Sequence, residues 1–405
     1  MENGRKEPKN VWKFPPCPAY DIERTESWLQ SMAEKGLILS KEGFFAGFAM
    51  FQKQPPQRIR YRLEASQKSS ILSDDNPEQE ELDLSEAYGW KYIAKRGDFY
   101  VFATRDPYTC ELHTDPKVQA LALNKIRRRM WSDCFVLLFW AIVYPFLIGK
   151  GVFLLTAIKL GSPLYFLTQI LFIWSIGSSV RSFLYLYRLQ KRLKRGTPPD
   201  HQKNWRRHAG LHHVSVITYF VLVICWCIML LYIWNADTTG KYERSLKSYN
   251  GKIPFATLES FAPGGTFIWD ENDFSNKIKV QSDLLAPQVI SLSQSGTIYK
   301  KNGTALSGGV NVEYVETRSP WMARQLAVEY ERFDRRTNKK YYQPLFLPDN
   351  LNADYAVAYD AIFPTAVLVK DNKVVRFCFY QTSENNTIPL EEWVSVVADS
   401  LANEP

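Results

Sequence analysis

Two apolar runs, Leu164 to about Leu184 and Val214–Trp234, flank the stretch RLQKRLKRGTPPDHQKNWRRH, which spans Arg188–His208. At about 1.5 Å per helical residue, each run nearly matches a hydrocarbon core of about 30 Å. The loop between them holds Arg188, Lys191, Arg192, Lys194, Arg195, Lys203, Arg206 and Arg207 against a single acid, Asp200. Cytoplasmic loops next to membrane helices are enriched in Lys and Arg, so this loop is expected to face the cytoplasm and to set the topology. The expected ligand of these residues is the lipid bilayer; specific headgroup recognition is a secondary reading.

A third run, Trp131–Ile148, follows the basic segment 109–130 with its Arg127, Arg128 and Arg129. Counted as a span, it gives three transmembrane helices at about 131–149, 164–184 and 214–234 within a membrane block 131–234. Gly149–Pro163 is apolar but short, and is read as an interfacial connector or as the end of a longer first span. The opening MENGRKEPKN lacks the apolar core of a secretory signal, so any translocation would depend on internal helices. No second half mirrors the first, which disfavours the repeat architecture of a secondary transporter.

The net charge of +8 is concentrated in this block: residues 1–130 carry +2, 131–234 carry +9 and 235–405 carry −3. Neither flanking region has the broad basic face that duplex binding requires, so nucleic acid is not an expected partner. Six cysteines are scattered with no CxxC pair, which argues against a disulfide framework.

Residues 1–20 read as a polar tail and 21–108 as an α+β domain. Ile22, Trp28, Leu29, Met32 and Ala33 recur at helical spacing, with Gly36 placed to end the helix. Arg58–Glu64 alternates as a half-buried strand. Glu81–Tyr88, Gly89, Trp90, Tyr92 and Phe99–Phe102 then repeat the order helix, glycine, strand, turn, aromatic strand. The pattern Trp28-Leu29-x-x-Met32-Ala33-x-x-Gly36-Leu37-x-Leu39, with Phe51, Tyr61-Arg62, Gly89-Trp90 and Phe102, resembles a family of bacterial membrane proteins defined by the domain of unknown function 2812. The resemblance covers about residues 20–105. Glu64 stands where the family more often has Asp. It implies a cytoplasmic N-terminal module followed by membrane helices, often encoded beside PadR-type regulators in Gram-positive bacteria, and it brings no activity.

After a stalk at 235–251, residues 252–405 read as a second α+β domain. Short strands are expected at Thr266–Trp269, Ile278–Val280 and Val289–Leu292. Hairpins are expected around Asn302-Gly303 and Asp371-Asn372, with helices opened by Pro320 and Pro389. This region has no histidine, so Ser-His and Cys-His nucleophile pairs are excluded there. Asp270-Glu271-Asn272-Asp273 lacks the glycine and distal glutamate of a calcium loop, and reads as a solvated turn. His208 and His212 are spaced to share a metal, but the nearest cysteine beyond them, Cys225, lies about 25 Å away along a helix.

The expected whole is a multi-domain membrane protein: a cytoplasmic α+β domain, three transmembrane helices and an extracytoplasmic α+β domain. No catalytic, cofactor or metal residue is assigned. The expected role is binding, sensing or regulation with a protein partner or a second copy. The alternatives are a surface enzyme using carboxylates such as Asp354, Asp360 or Glu329, and a structural subunit of a membrane complex.

Overall fold

The computed structural model describes residues 9–66, 76–112, 115–148, 150–270, 276–300, 304–382 and 387–402. Among these are eight α-helices and fifteen strands, falling into two units, 1–139 with 171–223 and 140–170 with 224–405.

The first unit opens with β1 (Asn10–Lys13), α1 (Ile22–Ala33), β2 (Leu37–Phe45) and β3 (Phe48–Lys53). It continues with β4 (Arg60–Ala65), α2 (Gln79–Ala87), β5 (Lys91–Arg96) and β6 (Phe99–Thr104). The two series form separate antiparallel sheets ordered β1-β3-β2 and β4-β6-β5. The βαββ unit therefore occurs twice with the same strand order, which is the basis of the repetition seen in the sequence. Each helix is followed by a glycine at positive φ, Gly36 at +77° and Gly89 at +82°. At Gly36 the need is absolute, because an added Cβ would lie 2.4 Å from the Gln54 carbonyl oxygen. Strand β4 is buried on both faces, not half-buried as its alternation predicts. Arg62 and Glu64 are 7% and 8% exposed, and Glu111 folds over the Arg62 side to neutralise it.

Helix α3 (Pro116–Ile148) begins well before the apolar run it contains. Its Ala120, Leu123 and Ile126 are buried in the same core as Trp28, Leu29, Phe51, Tyr61 and Val101. Leu186, Leu189 and Leu193 near the end of α5 (Ser162–Lys194) enter that core as well.

Among the described residues, two helices are long and apolar enough to cross a membrane, α5 and α6 (Arg206–Thr238). The three-span expectation is thereby corrected: α3 is not one of them. The first half of α3 is a charged, core-packing helix of the α+β unit, and Asp133 stands where the apolar run begins. Both remaining helices extend beyond the expected spans 164–184 and 214–234.

In the second unit, α4 (Phe153–Leu160) occupies the stretch expected to be interfacial or to prolong the first span. It is neither. The chain turns at Gly151 (φ +74°), and Val152, Leu155 and Ile158 bury against Ala323, Leu326, Ala327 and Tyr330 of α7 (Pro320–Thr337). The expected stalk likewise contributes an edge strand, β7 (Glu243–Ser245).

Strands β8 (Thr266–Trp269), β9 (Lys277–Gln281), β10 (Gln288–Tyr299), β11 (Ala305–Glu316) and β12 (Gln343–Leu345) join β13 (Tyr355–Asp360), β14 (Pro364–Lys370) and β15 (Lys373–Gln381). The resulting nine-stranded sheet runs β12-β13-β14-β15-β11-β10-β9-β7, with β8 also on β10. Val375, Phe377 and Phe379 point to one face with Trp393, Val394 and Val397 of α8 (Leu390–Ala402). Val367, Val369 and Val374 point to the other with α7 and α4. Helices on both faces explain why the central strands read as nearly continuous apolar runs.

Two expected short strands merge into β10, because the polar stretch between them is buried and used. Gln294 Oε1 accepts from Leu258 N at 2.9 Å, and Gly296 has no room for a side chain beside Phe267. The Asp371-Asn372 turn forms, with Asp371 at φ +52°. The Asn302-Gly303 turn lies outside the described residues, as does most of the 270–273 acidic cluster.

Candidate functional site

Helix α1 starts at Asp21, whose side chain accepts from Arg24 N, and the helix buries three acids: Asp21, Glu23 and Glu26 are each 2% exposed or less. A helix N-terminus tolerates acids well, but burial of a carboxylate requires partners. The basic loop supplies them. Glu23 pairs with Arg192 Nη2 on one oxygen and with Lys203 Nζ at 2.5 Å on the other, and accepts from Asp200 N at 2.9 Å. Glu26 meets His201 Nδ1 at 2.5 Å and accepts from Leu63 N at 2.8 Å. Asp21 accepts from the Tyr185 hydroxyl at 2.9 Å.

The two glutamates are driven in opposite directions. Burial raises the Glu23 pKa, but the Asp200 N–H with Lys203 and Arg192 outweighs burial and holds the carboxyl below its usual range. At Glu26 burial wins over the opposing His201 and Arg62, and the pKa is raised.

Of the eight basic residues singled out in the sequence, Arg192 and Lys203 are therefore tied into α1. Arg188, Lys191, Lys194, Arg195, Arg206 and Arg207 are exposed. The acids that hold the loop escaped the sequence reading; the available signal was Glu23 and Glu26, one helical turn apart on a face that otherwise carries core residues.

A cavity of about 650 Å³ lies beside this clamp, between the Pro16–Arg24 segment and the parts of α5 and α6 in the same unit. Arg24, Arg181, His208 and His212 contribute to its wall, with Ser178, Ser179 and Ser215. The chain before α1 seals one side. His213 Nε2 lies 3.2 Å from the Pro15 carbonyl oxygen, and the Phe14 ring packs on His212 and His213. The histidines thus serve packing and the cavity wall, and no cluster that could hold a metal occurs among the described residues.

The carboxylates considered for a surface enzyme do not converge. Glu329 accepts from Phe153 N at 3.1 Å and Leu155 N at 2.8 Å, closing the start of α4, whose own cap residue Val152 cannot. Asp354 accepts from Asp371 N at 2.7 Å in the β14–β15 turn and meets Lys370 Nζ at 3.4 Å. Asp360 ends β13 on the opposite flank. A separate charged network joins α4, α7 and the sheet. Arg376 bonds Asp334 at 2.7 Å, Tyr359 donates to Asp334 at 2.6 Å, and Lys159 meets Glu313 at 3.1 Å. Its donors and acceptors are engaged with one another, so it fastens α4 and α7 to the sheet. The thiols of Cys17 and Cys378 are buried, and desolvation raises their pKa values, which disfavours the thiolate.

The residues that carry the family pattern are structural. Trp28, Leu29, Phe51 and Tyr61 are core, Gly36 and Gly89 turn the chain, and Arg62 lies over the Trp90 ring at 5.7 Å while bonded to Glu111. Residues 21–136 match the family model of a protein of unknown function, DUF2812. This segment is a DUF2812 domain. The DUF2812 match runs past β6 into α3, in keeping with the burial of Ala120, Leu123 and Ile126 in the domain core. No curated protein and no solved structure matches the chain.

Proposed function

We propose that this DUF2812-containing chain is a membrane-anchored sensing or regulatory accessory protein with no reaction of its own. Helices α5 and α6 lie in the bilayer, and the basic loop that joins them faces the cytoplasm. The observation that carries this reading is the hold of Glu23 and Glu26 on the loop. A rearrangement of α1 would act directly on the segment that joins the two apolar helices, the arrangement a domain needs if its state is to be communicated along them. The excess of Lys and Arg in that loop supports its cytoplasmic placement.

Impermeant thiol labelling of intact cells tests the orientation. In a chain with Cys110, Cys225 and Cys227 replaced by Ser, Lys247→Cys is expected to label and Lys194→Cys to stay protected; the reverse pattern refutes the placement. Co-purification in mild detergent tests the role. A protein partner, or a second copy, is expected to remain bound and to be lost with Glu23→Gln. A lone chain indifferent to that substitution refutes it.

A further inference from the structure

The cavity between the Pro16–Arg24 segment, α5 and α6 has an unusual balance of charge. Arg24 and Arg181 supply the cations of its wall and Asp21 its single carboxylate, with the His208 and His212 rings beside them. That carboxylate is already engaged by Arg24 Nη1 and the Tyr185 hydroxyl. Arg24 Nε is buried without a hydrogen-bond partner, at a cost that a bound acceptor would remove. The one hydrogen bond of the Arg181 side chain among the described residues runs from Nε to the Gly177 carbonyl oxygen at 3.2 Å, which leaves its terminal nitrogens available. The walls between these groups alternate serine hydroxyls with Trp174, Val216 and Tyr219. The volume of about 650 Å³ exceeds what a bare phosphate fills and lies within the range of roughly 300–1,000 Å³ that organic ligands occupy.

We propose that this cavity binds the phosphate headgroup of an anionic phospholipid, with Arg24 and Arg181 as the charged donors, serine hydroxyls as additional donors, and the start of an acyl chain against Trp174 and Tyr219. Two guanidinium groups provide the planar donor pairs that match a phosphate, and basic pockets between membrane helices are suited to such headgroups. The amphipathic occupant follows from the location: the walls are supplied by the two helices apolar enough to lie in a bilayer. In this respect the inference rests on the membrane reading of α5 and α6. The site is distinct from the exposed basic residues of the loop, which attract any anionic surface without shape.

The test uses the full chain purified in a neutral detergent, with lipid retention read by native mass spectrometry and affinity by titration of fluorescent lipids. Phosphatidylglycerol or phosphatidic acid is expected to bind at least tenfold tighter than phosphatidylcholine. Arg181→Gln, which disturbs no packed contact, is expected to lower that affinity about tenfold, and Ser179→Trp to block it by filling the cavity. Arg195→Gln, on the exposed loop, is expected to change it less than twofold. Equal binding of neutral and anionic lipid overturns the proposal, as does an Arg195→Gln loss equal to that of Arg181→Gln. Displacement by inorganic phosphate as effective as by lipid also overturns it, in favour of a free-anion site. A chain that stays monodisperse in buffer without detergent overturns the membrane reading itself, whatever the binding result.

Discussion

Lys203 Nζ lies 2.5 Å from Glu23 Oε2, joining the second helical residue of α1 to the basic loop that precedes α6. Glu23 is fully buried and also holds Arg192 and the Asp200 N–H, whereas the two cations keep part of their side chains in solvent. The acid is the member that cannot be removed without leaving several donors unmatched.

Glu23→Gln is expected to cost about 2 kcal/mol, below the full penalty of a deeply buried pair because the cations remain partly hydrated. Thermal unfolding in detergent measures it, and faster tryptic cleavage at Lys194 and Arg195 should accompany it. The folded pKa of Glu23 is depressed, so its contribution is present above the usual carboxylate value of 4.5 and lost as pH falls through the lower folded value. Glu26 has the opposite sign: its folded pKa is raised, so folding favours its protonated form and its ionisation costs stability as pH rises. Glu23→Gln should therefore flatten the acid limb of the stability profile. Glu26→Gln should remove a loss on the alkaline side and cost less at neutral pH. Identical profiles for both variants contradict the assignment.

Gly36 and Gly47 both have positive φ, +77° and +83°, but only Gly36 meets an obstacle, the Gln54 oxygen 2.4 Å from where an added methyl group would sit. Gly47→Ala should cost about 1 kcal/mol from backbone conformation alone. Gly36→Ala should cost at least about twice that, and the difference between the two melting shifts isolates the steric part.

Glu111 carries both Arg60 and Arg62, and both guanidinium groups lie over the Trp90 ring, at 5.3 and 5.7 Å. Arg62→Lys retains charge but loses the forked pairing and the planar stacking, so a loss of about 1–2 kcal/mol is expected. Arg60→Lys, at a more exposed site, should lose less; equal effects would show that the fork at Arg62 contributes nothing.

Glu329→Ala removes the acceptor for Phe153 N and Leu155 N at the start of α4. Hydrogen exchange at residues 153–160 should accelerate roughly 10- to 100-fold, as expected for loss of a charge-assisted cap of about 1.5–3 kcal/mol, while the core strands β14 and β15 keep their protection. Uniform acceleration across the unit would instead mark Glu329 as part of the global core.

The amino-acid pattern alone carried much of the local structure. Helix α1 with its Gly36 stop, the start of α7 at Pro320 and the Asp371-Asn372 hairpin all follow from period, helix-start and turn residues, which act over a few positions. It also revealed the repeated order of elements that became two βαββ units, and the two apolar helices. Tertiary structure decided what those elements face. Trp131–Ile148 looked like an independent span, but its helix begins as a core element of the DUF2812 domain. That Val152–Ile158 packs on α7 and is capped by Glu329 was likewise decided only by the fold. The basic loop illustrates the same division: its excess of Lys and Arg beside two apolar runs is legible in the sequence, because it depends only on composition. That Arg192 and Lys203 are withdrawn to Glu23, leaving the other six exposed, depends on contacts between residues far apart in the chain, which no local period encodes.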